Sequence, residues 1–373
     1  MLGEVCDVST VGALLVAAFT AIYIARQWKT RQKILRLGCY APRVPSYLPL
    51  GITTVPGSGL DILIRTIRNA LNNESLKTWR DWHSIAPNHG TVEANVLFER
   101  CLFTADPHNI KAVLATQFED FGKGQLFHDT WKQLLGDGIF STDGAQWQAS
   151  RHLVRPLFVK DRVSDLDVLE RHFQCLRRII TPGDGQDGQK VDISDLIFRC
   201  TLDVATDFLL GESIRSLENP AQDFEKAFSH AQNIQMMIAR AGHAHVLIPR
   251  RSFNKSIESI DAFIQPYIDR ALGLQGSMKI SERSEPDYTF LHALAHYTRD
   301  PKLIRDQLVN ILIAGRDTTA SALSWVLFEL SKHPLVVMKL RKEILGCVNS
   351  DRPTYSQLKD MKYLQVDVIQ GTE

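Results

Sequence analysis

The sequence predicts a mainly α-helical protein with a small β-sheet near its start and a transmembrane helix at its N-terminus. Three observations predict this. Helical spacing of apolar residues dominates the chain after Asp106-Pro107. Only two short runs, 91–98 and 100–104, have the Val, Thr, Leu and Phe content of strands. Residues 8–25 are 18 consecutive residues without a charge. As a helix they span about 27 Å, close to the hydrocarbon core of a bilayer.

The N-terminal stretch has an orientation signal. Glu4 and Asp7 precede it, and Arg26, Lys29, Arg31, Lys33 and Arg36 follow it. A cleavable signal peptide carries its positive charge in front of the apolar run, whereas here the charge lies behind. The positive-inside rule then puts the body of the protein in the cytosol, with Tyr23 and Trp28 at the interface. The alternative is a buried core helix, which leaves the basic cluster without a purpose.

Residues 1–37 are therefore expected to be a membrane anchor with its basic flank. Residues 38–60 hold Pro42, Pro45, Pro49 and Pro56 and read as a stiff linker. Residues 61–373 form one α-rich body. In it, Asp106-Pro107 opens a helix, with Asp as N-cap and Pro at the first helical position. Further helices are expected over 145–158, 163–180, 192–210, 221–241, 252–273, 286–298, 302–332, 335–347 and 356–366.

Composition narrows the function. The chain has 43 basic against 42 acidic residues, a net charge of +1, so no nucleic-acid partner is expected. The six cysteines show no Cys-x-x-Cys pair and no His cluster, which fits reduced thiols better than a disulfide framework or a zinc site.

The chemistry is concentrated in the longest helix. Asp300-Pro301 starts it and His333-Pro334 ends it. Its centre reads Ala314-Gly315-Arg316-Asp317-Thr318-Thr319 between apolar residues. A glycine, a carboxylate and two threonines are poor helix formers, and the polar ones are costly to bury unbonded. Thr318 can bond back to the Ala314 carbonyl and open the turn, leaving a groove edged by a hydroxyl and a carboxylate. That groove suits a small diatomic ligand and a proton relay. A kinked core helix with an internal salt bridge explains the same spacing. Upstream, Trp147 and Arg151 stand at i, i+4 on one helix face and offer an indole N–H and a guanidinium to a carboxylate. A surface cation–π pair is the alternative there.

Together these two segments resemble the cytochrome P450 family. Ala314 to Thr319 is similar to the family's oxygen-binding helix motif, and Trp147-Gln148-Ala149-Ser150-Arg151 to its Trp-x-x-x-Arg helix. The resemblance implies haem as cofactor. Asp317 and Thr318 would deliver protons, Ala314 and Gly315 would make room over the haem, and Trp147 and Arg151 would contact a propionate. Phe118-Glu119-Asp120-Phe121-Gly122-Lys123-Gly124, Gly136-Asp137-Gly138-Ile139-Phe140 and Leu358-Lys359-Asp360-Met361-Lys362-Tyr363-Leu364-Gln365 resemble the fungal microsomal branch that hydroxylates n-alkanes and fatty acids. A single-pass protein of the endoplasmic reticulum membrane, fed by a membrane flavin reductase and acting on an apolar small molecule, is what that implies. Phe127, Trp131, Met236 and Met237 would then stand near the substrate, although plain core packing is the commoner role for such residues.

The pattern departs from the family after Gln365. No Glu-x-x-Arg helix follows, and none of Cys6, Cys39, Cys101, Cys175, Cys200 or Cys347 sits in the family's iron-ligand loop. The sequence is therefore expected to lack the C-terminal haem-thiolate region and to bring no metal ligand. A catalytically dead, membrane-anchored remnant is the alternative to a monooxygenase.

Overall fold

The computed structural model describes residues 8–36, 42–44, 59–72, 74–85, 90–96, 99–158, 166–181, 190–220, 222–274, 289–348 and 352–365. Its contacts divide the chain into two compact units, Met1–Phe121 and Gly122–Glu373.

In the first unit, helix α1 runs over Val8–Arg36 as one 29-residue element that takes in the basic flank. Among the described residues no helix is long and apolar enough to cross a membrane. The side chains of residues 8–16 lie outside the described residues, and the anchor is taken up below as a proposal. Most of the expected linker also lies outside them. Helices α2 (Leu60–Leu71) and α3 (Ser75–Ser84) follow, then the antiparallel strands β1 (Thr91–Val96) and β2 (Glu99–Thr104), with Thr91 opposite Thr104 and Val96 opposite Glu99. The inward residues Val92 and Ala94 pack on Ile62, Trp82 and Val44. Glu93 is buried but bonded, with Arg43 at 2.8 Å and Arg100 at 3.0 Å. Asp106 caps α4 (Pro107–Lys111) by accepting from the His108 and Asn109 amides, as its Asp-Pro start requires.

Among the described residues of the second unit every regular element is a helix. In order come α5 (Gln125–Leu135), α6 (Gly144–Val154), α7 (Leu166–Ile180), α8 (Ile193–Leu210), α9 (Asp223–Ala241), α10 (Arg251–Leu274), α11 (Phe290–Tyr297), α12 (Pro301–Lys332), α13 (Pro334–Cys347) and α14 (Tyr355–Asp360). One apolar core joins α5, α6, α8, α9, α10, α11 and the first half of α12, with Phe228, Phe253, Ile260, Ile268, Leu294 and Ile304 inaccessible to solvent. The 32-residue α12 is about 48 Å long. It packs along α8 and also touches α5, α10, α11 and α13.

Every helix expected from residue 106 onward is present, with ends shifted by a few residues. Three further helices, α2, α3 and α5, carried no helical expectation. The loop expected near 181–190 lies mostly outside the described residues.

Candidate functional site

The site is built on α12. Its N-terminus is capped by Asp300, whose carboxylate accepts from the Lys302 amide at 2.9 Å, and Pro301 occupies the first helical position. One turn further on, three buried polar residues face outward from the helix, Asp306 and Asn310 onto a single turn of chain and Gln307 onto α6. Asp306 accepts from the Asp137 amide at 2.9 Å and Gln307 donates to Ser150 Oγ at 2.9 Å. Asn310 donates to the Leu135 carbonyl at 2.7 Å and accepts from the Phe140 amide at 3.0 Å.

That turn is Gly136-Asp137-Gly138-Ile139-Phe140, and its glycines are required by close approach. Gly136 has φ +59°, and a Cβ there would lie 1.9 Å from the Asp306 carboxyl. A Cβ on Gly138 would lie 2.2 Å from Asn310 Nδ2. The turn leads directly into α6, and the Gln307–Ser150 bond ties α6 itself to α12. Trp147 and Arg151 flank Ser150 on that helix. The Arg151 guanidinium stands 5.4 Å from the Trp147 ring centroid, and the arginine is exposed.

The centre of α12 departs from expectation in one respect. Thr318 does donate to the Ala314 carbonyl, at 2.6 Å. The turn is not opened, however, and α-helix runs unbroken from Pro301 to Lys332. A hydroxyl can share a carbonyl with the helical N–H, so the back-bond does not force a break. Gly315, Thr318 and Thr319 are exposed, between buried Leu312 and buried Ala320. A Cβ on Gly315 would make only ordinary contact with Ala205, at 3.8 Å.

Asp317 and Arg316 face another way. Arg316 is 4% exposed. Its Nη1 donates to Gln232 Oε1 at 3.1 Å and its Nη2 to Ser229 Oγ at 2.8 Å, with Glu225 at 3.8 Å and Asp317 at 3.6 Å. The rings of Phe198 and Phe228 lie 5.6 and 5.4 Å from the guanidinium carbon. Gln232 Nε2 donates to Asp317 Oδ2. Burial raises the Asp317 pKa above the usual carboxylate range, and this outweighs the opposing pull of the Arg316 charge and the Gln232 bond. Burial likewise lowers the pKa of Arg316, against the charges of Asp317 and Glu225.

Beside this helix lies a cavity of about 1100 Å³ between α7, α8 and α12. Its wall is apolar, with Phe158, Phe173, Val204 and Phe208 among its residues, and α12 contributes Ala314, Gly315 and Thr319. Asp317, Thr318, Trp147 and Arg151 do not line it. Nor do Phe127, Trp131, Met236 and Met237, which were expected near the substrate. Phe127 stacks on Trp131 at 5.7 Å, Trp131 packs against the main core, and both methionines are exposed. The volume exceeds the range of about 300–1,000 Å³ usual for small-molecule sites. Among the described cysteines only Cys200 lines the cavity, and burial pushes its thiol up to about 11. Burial thus disfavours its thiolate form.

A long unbroken helix with an exposed Gly/Thr strip at its centre, beside a large and mostly apolar cavity, defines a helical protein with room for a sizeable apolar ligand. The cytochrome P450 family model matches residues 91–369. The chain is 45% identical over 347 residues to cytochrome P450 monooxygenase pvhE of Talaromyces variabilis, covering 90% of this chain and 63% of that protein. It is 42% identical over 298 residues to cytochrome P450 52A1 of Candida tropicalis, covering 75% and 54%. Among solved structures, the haem domain of cytochrome P450DA superposes with a TM-score of 0.67 at 18% identity, covering 87% of this chain and 67% of that one. The chain belongs to the cytochrome P450 family. It spans between half and two thirds of the length of these two relatives.

The network around Arg316 was absent from the sequence-based expectation. Its signal was a polar stripe at Glu225, Ser229 and Gln232, spaced i, i+4, i+7 on one face of α9.

Proposed function

We propose that this chain carries the oxygen-side wall and the propionate contacts of a haem-thiolate monooxygenase acting on an apolar chain such as an n-alkane or fatty acid. The observation that carries the reading is the exposed Gly315–Thr318–Thr319 strip on α12 beside the apolar cavity. A flat macrocycle would suit such a strip, because Gly315 and Ala314 project little and the neighbouring wall is mostly apolar, with one ion pair, Glu170–Arg352 at 3.7 Å, at its edge. Arg151 and Trp147 are the donors suited to its propionates. Bound haem would supply the activation of dioxygen. The chain's own part is to exclude water with its apolar wall and to hold exchangeable protons at Thr318 Oγ1 and the Asp317 carboxyl. Family membership and the resemblance to alkane and fatty-acid hydroxylases support the substrate class.

The uncharged run at 8–25 and the basic flank after it support a single-pass anchor in the endoplasmic reticulum membrane with a cytosolic body. A membrane flavin reductase would then supply electrons.

A second reading, a remnant that takes up no haem as a thiolate complex, is favoured by the setting of Cys200, the one described cysteine on the cavity wall, where burial disfavours the thiolate. A carbon monoxide difference spectrum of the reduced, haem-reconstituted protein tests both. A thiolate-type Soret band supports the monooxygenase, and its absence supports the remnant.

A further inference from the structure

We propose that Gln232 of α9 is the positioning residue for Asp317: its side-chain amide bridges Arg316 and Asp317 and holds the carboxyl against α9, away from the exposed strip that carries Thr318. This deepens the reading above and rests on Asp317 being a proton-handling group.

The geometry leaves little choice of residue at 232. Arg316 offers only donors and Asp317, when ionised, only acceptors. A primary amide carries one of each at the right separation. Its oxygen accepts from Arg316 Nη1 and its nitrogen donates to Asp317 Oδ2. A flipped amide would set oxygen against oxygen and nitrogen against nitrogen, so the partners settle the orientation. Leucine would strand both neighbours, glutamate would repel Asp317, and lysine would repel Arg316.

The clamp is built on a fixed base. Ser229 and Glu225, one and two turns earlier on α9, hold the far side of the guanidinium, and Phe198 and Phe228 flank it. Arg316 is thus anchored before it meets Gln232. Two buried atoms in the cluster accept or donate no hydrogen bond, Arg316 Nε and Asp317 Oδ1, although Oδ1 lies 3.6 Å from Arg316 Nη1. Oδ1, free of a hydrogen bond, is the point at which Asp317 can take or lose a proton while Oδ2 stays on Gln232.

The consequence concerns the expected relay. Thr318 donates to Ala314 and Asp317 accepts from Gln232, so the two groups are parked on different partners. Gln232 therefore sets both where the carboxyl points and how tightly it holds its proton. The charged groups recorded around the carboxyl are Arg316 from α12 and, through it, Glu225 from α9, while α8 presents the Phe198 ring.

The test uses the full chain without haem. Asp317 is titrated by the infrared carboxyl band that disappears in Asp317→Asn. Gln232→Leu removes the bond that favours the charged form, and the titration midpoint moves up by about one pH unit. Gln232→Glu is nearly isosteric and adds a like charge, and its midpoint moves further up. An unchanged midpoint in either folded variant overturns the proposal, and the glutamate variant decides it should the leucine variant not fold. A separate measurement keeps the underlying reading distinct. If Asp317→Asn leaves coupling of the haem-loaded enzyme intact, the relay reading fails while the clamp stands. If the Gln232 variants do not move the midpoint, the clamp fails while the relay stands.

Discussion

Replacing Asn310 with leucine isolates what α12 does for the turn in front of α6. Asn310 is inaccessible to solvent and has two partners outside its own helix, the Leu135 carbonyl at 2.7 Å and the Phe140 amide at 3.0 Å. Leu135 is the last residue of α5, so its carbonyl has no partner within that helix. Leucine is close in volume and leaves no large cavity. The cost is the two stranded backbone groups, about 1–3 kcal/mol each, offset in part by the leucine's own apolar burial, for a net loss of about 2–4 kcal/mol. With a urea slope of about 3 kcal/mol per molar, the unfolding midpoint falls by about 1 M. Far-UV circular dichroism in a urea titration reads this directly. Gly138→Ala should move the midpoint in the same direction, because its Cβ would sit 2.2 Å from the Asn310 amide nitrogen. A leucine variant with the parent's midpoint and slope would refute the argument that these bonds hold the turn.

Further expectations concern the site and the chain's orientation. Thr318→Ala in the haem-loaded enzyme should release reducing equivalents as peroxide in place of product, and unchanged coupling counts against a proton role for this hydroxyl. Asp207 accepts from buried His172 at 2.8 Å, and that bond outweighs the burial penalty, with Arg171 assisting, to hold the Asp207 pKa below the ordinary carboxylate value. A depressed folded-state pKa means stabilisation that is present above the unfolded value of about 3.9 and lost as the pH falls through the folded one. Asp207→Asn should therefore flatten the acid side of the Tm-against-pH curve, and a variant with the parent's acid slope rules the pair out as its source. With a cytosolic body, the acceptor pattern Asn73-Glu74-Ser75 should carry no sugar, and an endoglycosidase-induced mass shift there would reverse the orientation. The second pattern, Asn254-Lys255-Ser256, says nothing about orientation, because it lies inside α10 with Ser256 buried and Asn254 bonded to Gln133 at 2.6 Å.

Local chemistry explains what could be read in advance. Asp300-Pro301 and His333-Pro334 announced both ends of α12, and Asp106-Pro107 announced α4, because caps and prolines act within a few residues. The back-bond from Thr318 to Ala314 was legible for the same reason, since both partners lie on one turn. Its effect on the helix was not, because α8 packs along α12 and holds it straight. The bonds that define the surroundings of the site join residues far apart in the chain. Gln232 meets Asp317 across 85 positions, and Leu135 meets Asn310 across 175. No spacing rule reaches that far. Asp306, Gln307 and Asn310 carried no expectation, because their partners in the glycine turn and on α6 lie 157 or more positions away. Helix α5 went unassigned because glycines bound it closely at Gly124 and Gly136. Helix α2 shows a helical repeat but starts where the expected linker ends, and it carried no assignment.

Three buried polar side chains, Asp306 and Asn310 on one external turn and Gln307 on α6, do more than stabilise: they fix the rotational phase of α12. A helix advances about 100° per residue, so inserting one residue between Asn310 and Ala314 would leave the grip intact and swing everything beyond it by more than a quarter turn. Gly315 and Thr318 would leave their open strip, and Arg316 would lose its seat against α9. The azimuth of the reactive face is thus keyed by amide and carboxylate contacts one turn upstream, and it tolerates changes of side chain better than changes of length.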